Sequence, residues 1–246
     1  DYWRALQDGV SGAAPITHFN AENFKTQFAC ELKDFDVTDF MHRKEARKMD
    51  LFCQYAMVAS DEAIKDSGLN LGEVNLDRAG VIWGSGIGGM KSFQQETSNF
   101  AQGNGIPRYN PFFIPKLISD IPAGHISIKN GFRGPNFTTV SACASSTNSL
   151  IDAFNYIKWN KADIFIAGGS EACVFETGIG GFNAMMALST RNNDPKTASR
   201  PFDKDRDGFV MGEGGGAIVI EEYEHAIKRG AKVYAEIVGG GLTADA

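Results

Sequence analysis

A single cysteine stands in segment 137–146, where β-branched residues give way to small ones. The β-branched residues predict a buried strand, and the apolar residues after Ala144 recur at helical spacing. Cys143 should therefore lie at the start of a helix, where unpaired backbone N–H groups stabilise a thiolate. A nucleophile at a bend between strand and helix is the arrangement of a nucleophile elbow. The same pattern also fits a small buried cysteine that only packs.

Two other predicted strands must flank this bend. The apolar residues 79–83 lead into Gly-Ser-Gly-Ile-Gly-Gly at 84–89, and residues 163–167 lead into two more glycines. Because strand, helix and strand over 137–169 form one βαβ unit, this part of the sheet should be parallel and covered on both faces. Further strands are expected over 216–221 and 232–238.

The glycine turn at 84–89 also fits G-x-G-x-x-G, a pattern of dinucleotide-binding folds. Such folds place a second strand ending in an acidic residue about 20 residues later. Residues 99–111 are instead polar and interrupted by Gly and Pro. We therefore favour a turn that brings backbone close to a pocket. The run 203–208 begins like a calcium loop, but its twelfth position is Gly214, so no metal site is predicted.

Composition limits the class of partner. The 246 residues are 43% apolar and carry a formal charge of -6, which suits one large α/β domain or two small ones. That charge offers no general attraction to nucleic acid or to an anionic membrane, so an acidic partner needs a local basic patch. Four widely spaced cysteines argue against zinc. With no membrane-length apolar run and no signal peptide, they favour the cytoplasm.

Six segments match one known family in that family's order, over nearly the whole chain. They are residues 43–50, 84–89, 110–115, 139–146, 167–171 and 199–203. These segments resemble the β-ketoacyl-[acyl carrier protein] synthases, the condensing enzymes of fatty-acid synthesis in the thiolase superfamily. The resemblance is greatest to the bacterial type II elongating form.

The resemblance implies a fold of class α/β, the thiolase-like αβαβα layered sandwich of two similar halves. Residues 1–230 would form the N-terminal half without its first strand, and residues 231–246 would begin the C-terminal half. On this hypothesis the sequence is a portion of a longer protein.

The resemblance also implies a reaction, the decarboxylative Claisen condensation of a cysteine-bound acyl chain with malonyl-[acyl carrier protein] in fatty-acid elongation. Cys143 would be the acyl-accepting nucleophile, and no cofactor or metal would take part. The family holds the enolate with two histidines from its second half, so these 246 residues alone should not condense. The histidines present are expected to be surface or packing residues. They are His18, His42, His125 and His225.

The same resemblance implies partners and pocket residues. The predicted partner is the acyl carrier protein bearing acyl and malonyl groups, together with a second copy of the chain in a homodimer. The residues that would dock the carrier are Lys44, Arg47, Lys48 and Arg108. The residues that would shape the acyl pocket are Ile87, Phe113 and Phe182. Tyr109 stands where many relatives have a basic residue, which weakens this part of the docking patch. Met186 stands where some relatives have an arginine, which weakens the patch at that helix.

Two alternatives remain at this stage. One is a non-catalytic partner, or chain-length-determining half, of a complete synthase. The retained Cys143 argues against it, because a purely structural protein needs no thiol at the bend. The other is a polyketide-type or thiolase-type condensing enzyme with a different acyl donor. The basic cluster at 43–48 favours carrier-bound substrates over free coenzyme A.

Overall fold

A computed structural model describes residues 2–244 of the chain. They form two compact units. The smaller unit takes the residues up to Phe35 together with Ala172–Gly214, and the larger takes Asp36–Glu171 and the residues from Gly215 onward. The predicted α/β class is confirmed, with parallel strands and covering helices in the larger unit.

The regular elements follow one another in the order expected for this class. The helices are α1 (Tyr2–Gln7), α2 (Arg43–Ala46), α3 (Leu51–Asp66), α4 (Met90–Gln102), α5 (Phe113–Leu117), α6 (Ile121–Asn130), α7 (Ser145–Lys158), α8 (Glu176–Ala184) and α9 (Tyr223–Lys228). The strands are β1 (Ala14–Pro15), β2 (Phe28–Ala29), β3 (Ala79–Gly84), β4 (Asn136–Thr139), β5 (Ile164–Glu171) and β6 (Gly214–Glu221). Short 3-10 helices span Val37–Asp39, Leu76–Arg78, Ala142–Ala144 and Pro195–Thr197.

The sheet of the larger unit has the order β4-β3-β5-β6. Strand β3 is parallel to both β4 and β5, with Gly84 opposite Thr139 on one side and Gly169 on the other. All six residues of β3 are buried, as expected for a central parallel strand with both faces covered. The carboxyl ends of these strands therefore lie together at the same end of the sheet, where the predicted bend is found.

Helices cover both faces of this sheet. On one face, Ala153 of α7 packs into a core cluster with Ile82 of β3 and Phe165 of β5. Because side chains alternate along a strand, Val81 and Trp83 point to the opposite face. Helices α3 and α6, which pack against each other and against β5 and β3, contribute nothing to that cluster and cover the second face.

The smaller unit holds a short antiparallel pair, β1 with β2, in which Ala14 lies opposite Ala29. Close to this strand pair, the buried hydroxyl of Thr26 links several segments of the same unit. The side-chain hydroxyl of Thr26 donates to the carbonyl of Ser189 at 2.8 Å and accepts from the amide of Asn183 at 2.8 Å. These bonds satisfy buried polar atoms that would otherwise be costly.

One predicted strand is present but less buried than expected, and another is absent from the described residues. Strand β4, expected to be buried, lies at the sheet edge and is only partly covered, and Val140 just beyond it is 63% exposed. Residues 232–238, expected to form a strand, have no strand assignment, and Tyr234 there is 68% exposed. A strand needs a neighbour for its backbone hydrogen bonds, and no other described segment pairs with residues 232–238.

Among residues 2–244, each helix is too short or too polar to cross a membrane.

Candidate active site

Cys143 lies in the 3-10 turn Ala142–Ala144, between the end of β4 and the start of α7. The residue is exposed, whereas Cys53 and Cys173 are buried and Cys30 is partly buried. Ala142, directly before the cysteine, has a φ of 50°, in the left-handed region that costs a non-glycine residue free energy. The prediction of a sharp bend that presents a thiol beside a helix start therefore matches the geometry, and the packing-only alternative does not.

Side-chain hydrogen bonds brace this bend. The hydroxyl of Ser145 accepts from the amide of Ser141 at 2.9 Å and donates to the carbonyl of Ala142 at 2.6 Å. The hydroxyl of Thr139 donates to the carbonyl of Ser145 at 2.7 Å. The amide group of Asn148 donates to the hydroxyl of Ser141 at 2.6 Å. These bonds span both sides of Cys143, so the strained turn is held in place.

Glycines let the strand ends lie directly against the start of α7. A Cβ added to Gly84 would lie 2.5 Å from the backbone nitrogen of Ser146, and one added to Gly169 would lie 2.6 Å from the Ser146 Cβ. Real Cβ atoms do not approach other atoms so closely. Gly84 at the end of β3 and Gly169 near the end of β5 are therefore needed for this close approach.

The glycine turn after β3 surrounds a carboxylate of the protein itself. Oε2 of Glu171 accepts from the amides of Gly86 at 2.7 Å and Ile87 at 3.0 Å, and Oε1 accepts from the amide of Gly88 at 3.3 Å. The hydroxyl of Ser85 donates to Oε1 at 3.3 Å and accepts from Gly88 at 3.1 Å. Because these amides already hold an anion, the turn is not a pyrophosphate cradle.

Two opposing effects act on the Glu171 carboxyl. Burial raises its pKa, and the donors from Gly86, Ile87, Ser85 and Gly88 act in the opposite direction, with burial the larger effect. The sequence analysis did not single out this residue. The available signal was a carboxylate at the end of a buried parallel strand whose neighbour leads into a glycine turn.

The predicted pocket residues occupy different surroundings. Ile87 is partly buried in the glycine turn, and a Cβ on the adjacent Gly86 would lie 3.4 Å from the carbonyl of Ala142. Ile87 is thus on the turn that packs against the Cys143 bend. Phe182 belongs to α8 of the smaller unit, where its ring packs edge-on against Phe209 with centroids 5.6 Å apart.

Phe113, the third predicted pocket residue, is one member of an aromatic stack. The ring of Tyr109 lies 5.5 Å from that of Phe113 and 5.7 Å from that of Phe100, nearly parallel to both. Phe93 adds a fourth ring, 6.3 Å from Phe113. Tyr109 therefore ties the loop that carries Arg108 to a candidate pocket wall.

The basic surface, defined as Lys44, Arg47, Lys48 and Arg108, is largely exposed. The ammonium group of Lys48 lies 2.8 and 2.9 Å from the two carboxylate oxygens of Glu45. A cavity of about 450 Å³ opens beside Arg47. The residues that line it are Val37, Thr38, Arg43, Ala46, Arg47, Met49, Gln54, Asn110 and Lys116. Asn110, two residues after Arg108, lines the cavity together with Arg47, so the loop of Arg108 lies near Arg47. The cavity is also lined by the cation Lys116, which the sequence analysis missed.

The histidines make structural contacts. His18 lies 2.8 Å from Glu213, His42 caps α2 by accepting from the amide of Lys44, and His225 lies 2.5 Å from Glu221. His125 is partly buried, and burial lowers its pKa. These surroundings agree with the expectation that the histidines are surface or packing residues.

Comparison with known proteins gives the class. Residues 1–226 match the family Beta-ketoacyl synthase, N-terminal domain. The chain is 48% identical over 244 residues to 3-oxoacyl-[acyl-carrier-protein] synthase 2 of Vibrio harveyi, covering 99% of this chain and 59% of that protein. It is 47% identical over 246 residues to the protein of the same name from Synechocystis, covering 100% of this chain and 59% of the relative.

Solved structures agree. A β-ketoacyl synthase from Burkholderia phymatum superposes with a TM-score of 0.85 at 32% identity, over 96% of this chain and 58% of that one. The ishigamide ketosynthase/chain length factor superposes with a TM-score of 0.86 at 30% identity, over 97% and 58% of the two chains. The chain thus belongs to the β-ketoacyl synthase family and has its thiolase-like fold. It spans about 59% of the length of the curated relatives it matches.

Proposed function

We propose that Cys143 is the acyl-accepting nucleophile of an elongating β-ketoacyl-[acyl carrier protein] synthase, an acyltransferase of fatty-acid synthesis. The observation that carries this proposal is the exposed thiol in a braced bend at the start of α7. The thiolate attacks the acyl thioester of the carrier, the carrier's thiol leaves, and the acyl chain becomes bound to the sulfur of Cys143.

The second half-reaction extends this chain by two carbons. Loss of CO2 from malonyl-[acyl carrier protein] gives a carbanion, which attacks the Cys143 thioester and releases the thiolate. By family resemblance, two histidines from the family's second half hold the enolate. We also propose that residues 1–230 are the N-terminal half and residues 231–246 begin the C-terminal half.

The basic surface is our candidate docking site for the carrier. Lys44, Arg47 and Arg108 are exposed, and the adjoining cavity gains positive charge from Arg43 and Lys116. A local patch of this kind on a protein of formal charge -6 attracts an acidic partner in a salt-dependent way.

Acyl-chain contacts are assigned to Ile87, Phe113 and Phe182. Ile87 is supported by the packing of its turn against the Cys143 bend, and Phe113 by its place in an aromatic stack. Phe182 keeps its assignment from the resemblance. A homodimer in the cytoplasm completes the proposal. Among residues 2–244, β4 is an outer strand of its sheet, which supports pairing of two copies because an outer strand has backbone groups available.

The test is acylation of Cys143→Ala. The purified protein and the variant are incubated with acyl-[acyl carrier protein], and intact mass is measured. The original protein should gain the mass of one acyl group, and Cys143→Ala should gain none. Cys30→Ala is the matched control, because burial raises the pKa of that thiol, and its acylation should be unchanged. Acylation that persists in Cys143→Ala would refute the assignment, and an original protein that gains no acyl group would favour a non-catalytic partner.

A polyketide-type condensing enzyme is the second candidate, favoured by the structural match to the ishigamide ketosynthase/chain length factor. The two functions share the Cys143 nucleophile and differ in the acyl groups accepted. A protein that accepts saturated acyl chains and rejects β-ketoacyl chains supports fatty-acid elongation. The opposite selectivity supports the second candidate.

A further inference from the structure

Several hydrogen bonds join the turn after β3 to the last residue of β5. Gly84 and Gly169 are opposite each other in the parallel pair, so the chain two residues further on places Gly86 beside Glu171. Three successive amides and one hydroxyl of the turn then donate to the two oxygens of that carboxylate. Hydrogen bonds to a charged acceptor are stronger than those between neutral groups.

The turn also connects Glu171 with the nucleophile. A Cβ on Gly86 would lie 3.1 Å from Oε2 of Glu171 and 3.4 Å from the carbonyl oxygen of Ala142. The backbone at Gly86 is therefore packed between the carboxylate and the residue that precedes Cys143. Ala142 is also the residue with the left-handed φ, so its position depends on what surrounds it.

We propose that Glu171 is a positioning residue, whose carboxylate holds the turn 85–88 against Ala142 and thereby fixes the Cys143 thiol and the Ile87 side chain. The inference rests on the proposed role of Cys143 as nucleophile. Both oxygens of Glu171 already accept hydrogen bonds from the turn, so the residue acts through the turn.

The test compares Glu171→Ala with Glu171→Gln. The rate at which iodoacetamide alkylates Cys143 is followed by intact mass across neutral and alkaline pH. Displacement of the turn should slow alkylation roughly tenfold in Glu171→Ala, because a cysteine moved away from the start of a helix is less reactive. Glu171→Gln keeps one oxygen acceptor for the amides of Gly86 and Ile87, so it should recover most of the rate. The same variants should differ in their preference among acyl chain lengths, because Ile87 moves with the turn.

Glu221→Gln is the matched control. Glu221 is a largely buried carboxylate at the end of β6, paired with Arg229 at 2.7 Å, so its loss destabilises the fold without touching the turn. It should lower the melting temperature and leave alkylation unchanged. Should Glu171→Ala fail to fold, Ser85→Ala removes only the hydroxyl that bridges Gly88 and Glu171, and it should slow alkylation less.

Alkylation of Glu171→Ala at the original rate, or an equal loss in Glu221→Gln, would overturn the proposal. If Glu171→Ala does not fold, an unchanged rate in Ser85→Ala would overturn it. These outcomes are distinct from failure of the proposed function, which would appear as acylation of Cys143→Ala.

Discussion

The Cys143 bend and the basic surface differ in how many hydrogen bonds and ion pairs their side chains make with the rest of the protein. Around the bend, the hydroxyl of Ser145 and the carboxylate of Glu171 hold neighbouring backbone through several short hydrogen bonds. On the basic surface, no described carboxylate lies within ion-pairing distance of Lys44, Arg47 or Arg108. The Cys143 thiol is thus held in place by the protein itself, whereas these three cations are not neutralised by a neighbouring carboxylate.

This difference predicts different responses to substitution. The bend should be sensitive to the addition or removal of single atoms, because its geometry is set by close packing and by directional hydrogen bonds. The basic surface should respond to charge and to salt and be tolerant of shape, because exposed charges act through a screened field.

The largest effect should come from Gly84→Ala. The added Cβ would meet the backbone of Ser146 at 2.5 Å, and backbone within a helix cannot move aside cheaply. We expect a loss of roughly 3 kcal/mol in the free energy of unfolding, measured by urea denaturation, together with loss of Cys143 acylation.

Gly124→Ala is the control for this change. Gly124 lies in α6 of the same unit, and a Cβ there would meet nothing within 4 Å. Alanine is the better helix former, so this variant should gain about 0.5 to 1 kcal/mol. Equal stability of Gly84→Ala and the original protein would contradict the close packing described for the bend.

The sequence was sufficient for features that depend on neighbouring residues. The strand at 79–84, the bend at Cys143 and the strand at 214–221 follow from local runs of β-branched, small and apolar residues. The position of Cys143 at this bend was predicted for the same reason. The resemblance then supplied the fold, since two similar halves cannot be inferred from local runs.

Features that depend on distant residues were missed. The contact between Glu171 and the turn 85–88 joins positions more than 80 residues apart, and the order that places β4 at the edge is a property of the whole sheet. The false strand at 232–238 shows the same limit, because an apolar pattern does not reveal whether a pairing strand exists. The stacking of Tyr109 on Phe113 was not predicted, because the loop of Tyr109 was considered only for its basic residues.

A smaller effect should come from Arg47→Glu. Arg47 is exposed at the edge of the cavity, so the reversal leaves the fold intact and replaces attraction of the acidic carrier by repulsion. We expect about tenfold weaker binding of the carrier at low salt, by titration calorimetry, and a smaller difference at high salt.

Arg133→Glu controls for net charge alone. Arg133 pairs with Asp77 near the amino ends of β3 and β4, at the opposite end of the sheet from Cys143. Carrier binding by this variant should match that of the original protein. If both reversals weaken binding equally, the attraction belongs to the whole protein and the basic surface is not a specific dock.

The smallest effect should come from Glu45→Gln, which tests whether internal pairing reduces the contribution of a single cation. Lys48 differs from the rest of the basic surface because its ammonium group is held by the Glu45 carboxylate, whose pKa that hydrogen bond lowers. Removing this negative charge frees Lys48, so carrier binding should tighten at most a few-fold, as expected for an exposed ion pair. In Glu45→Gln with Lys48→Gln the gain should disappear. A gain that survives in the double variant would mean that Glu45 repels the carrier directly, and Lys48 would then be no part of the dock.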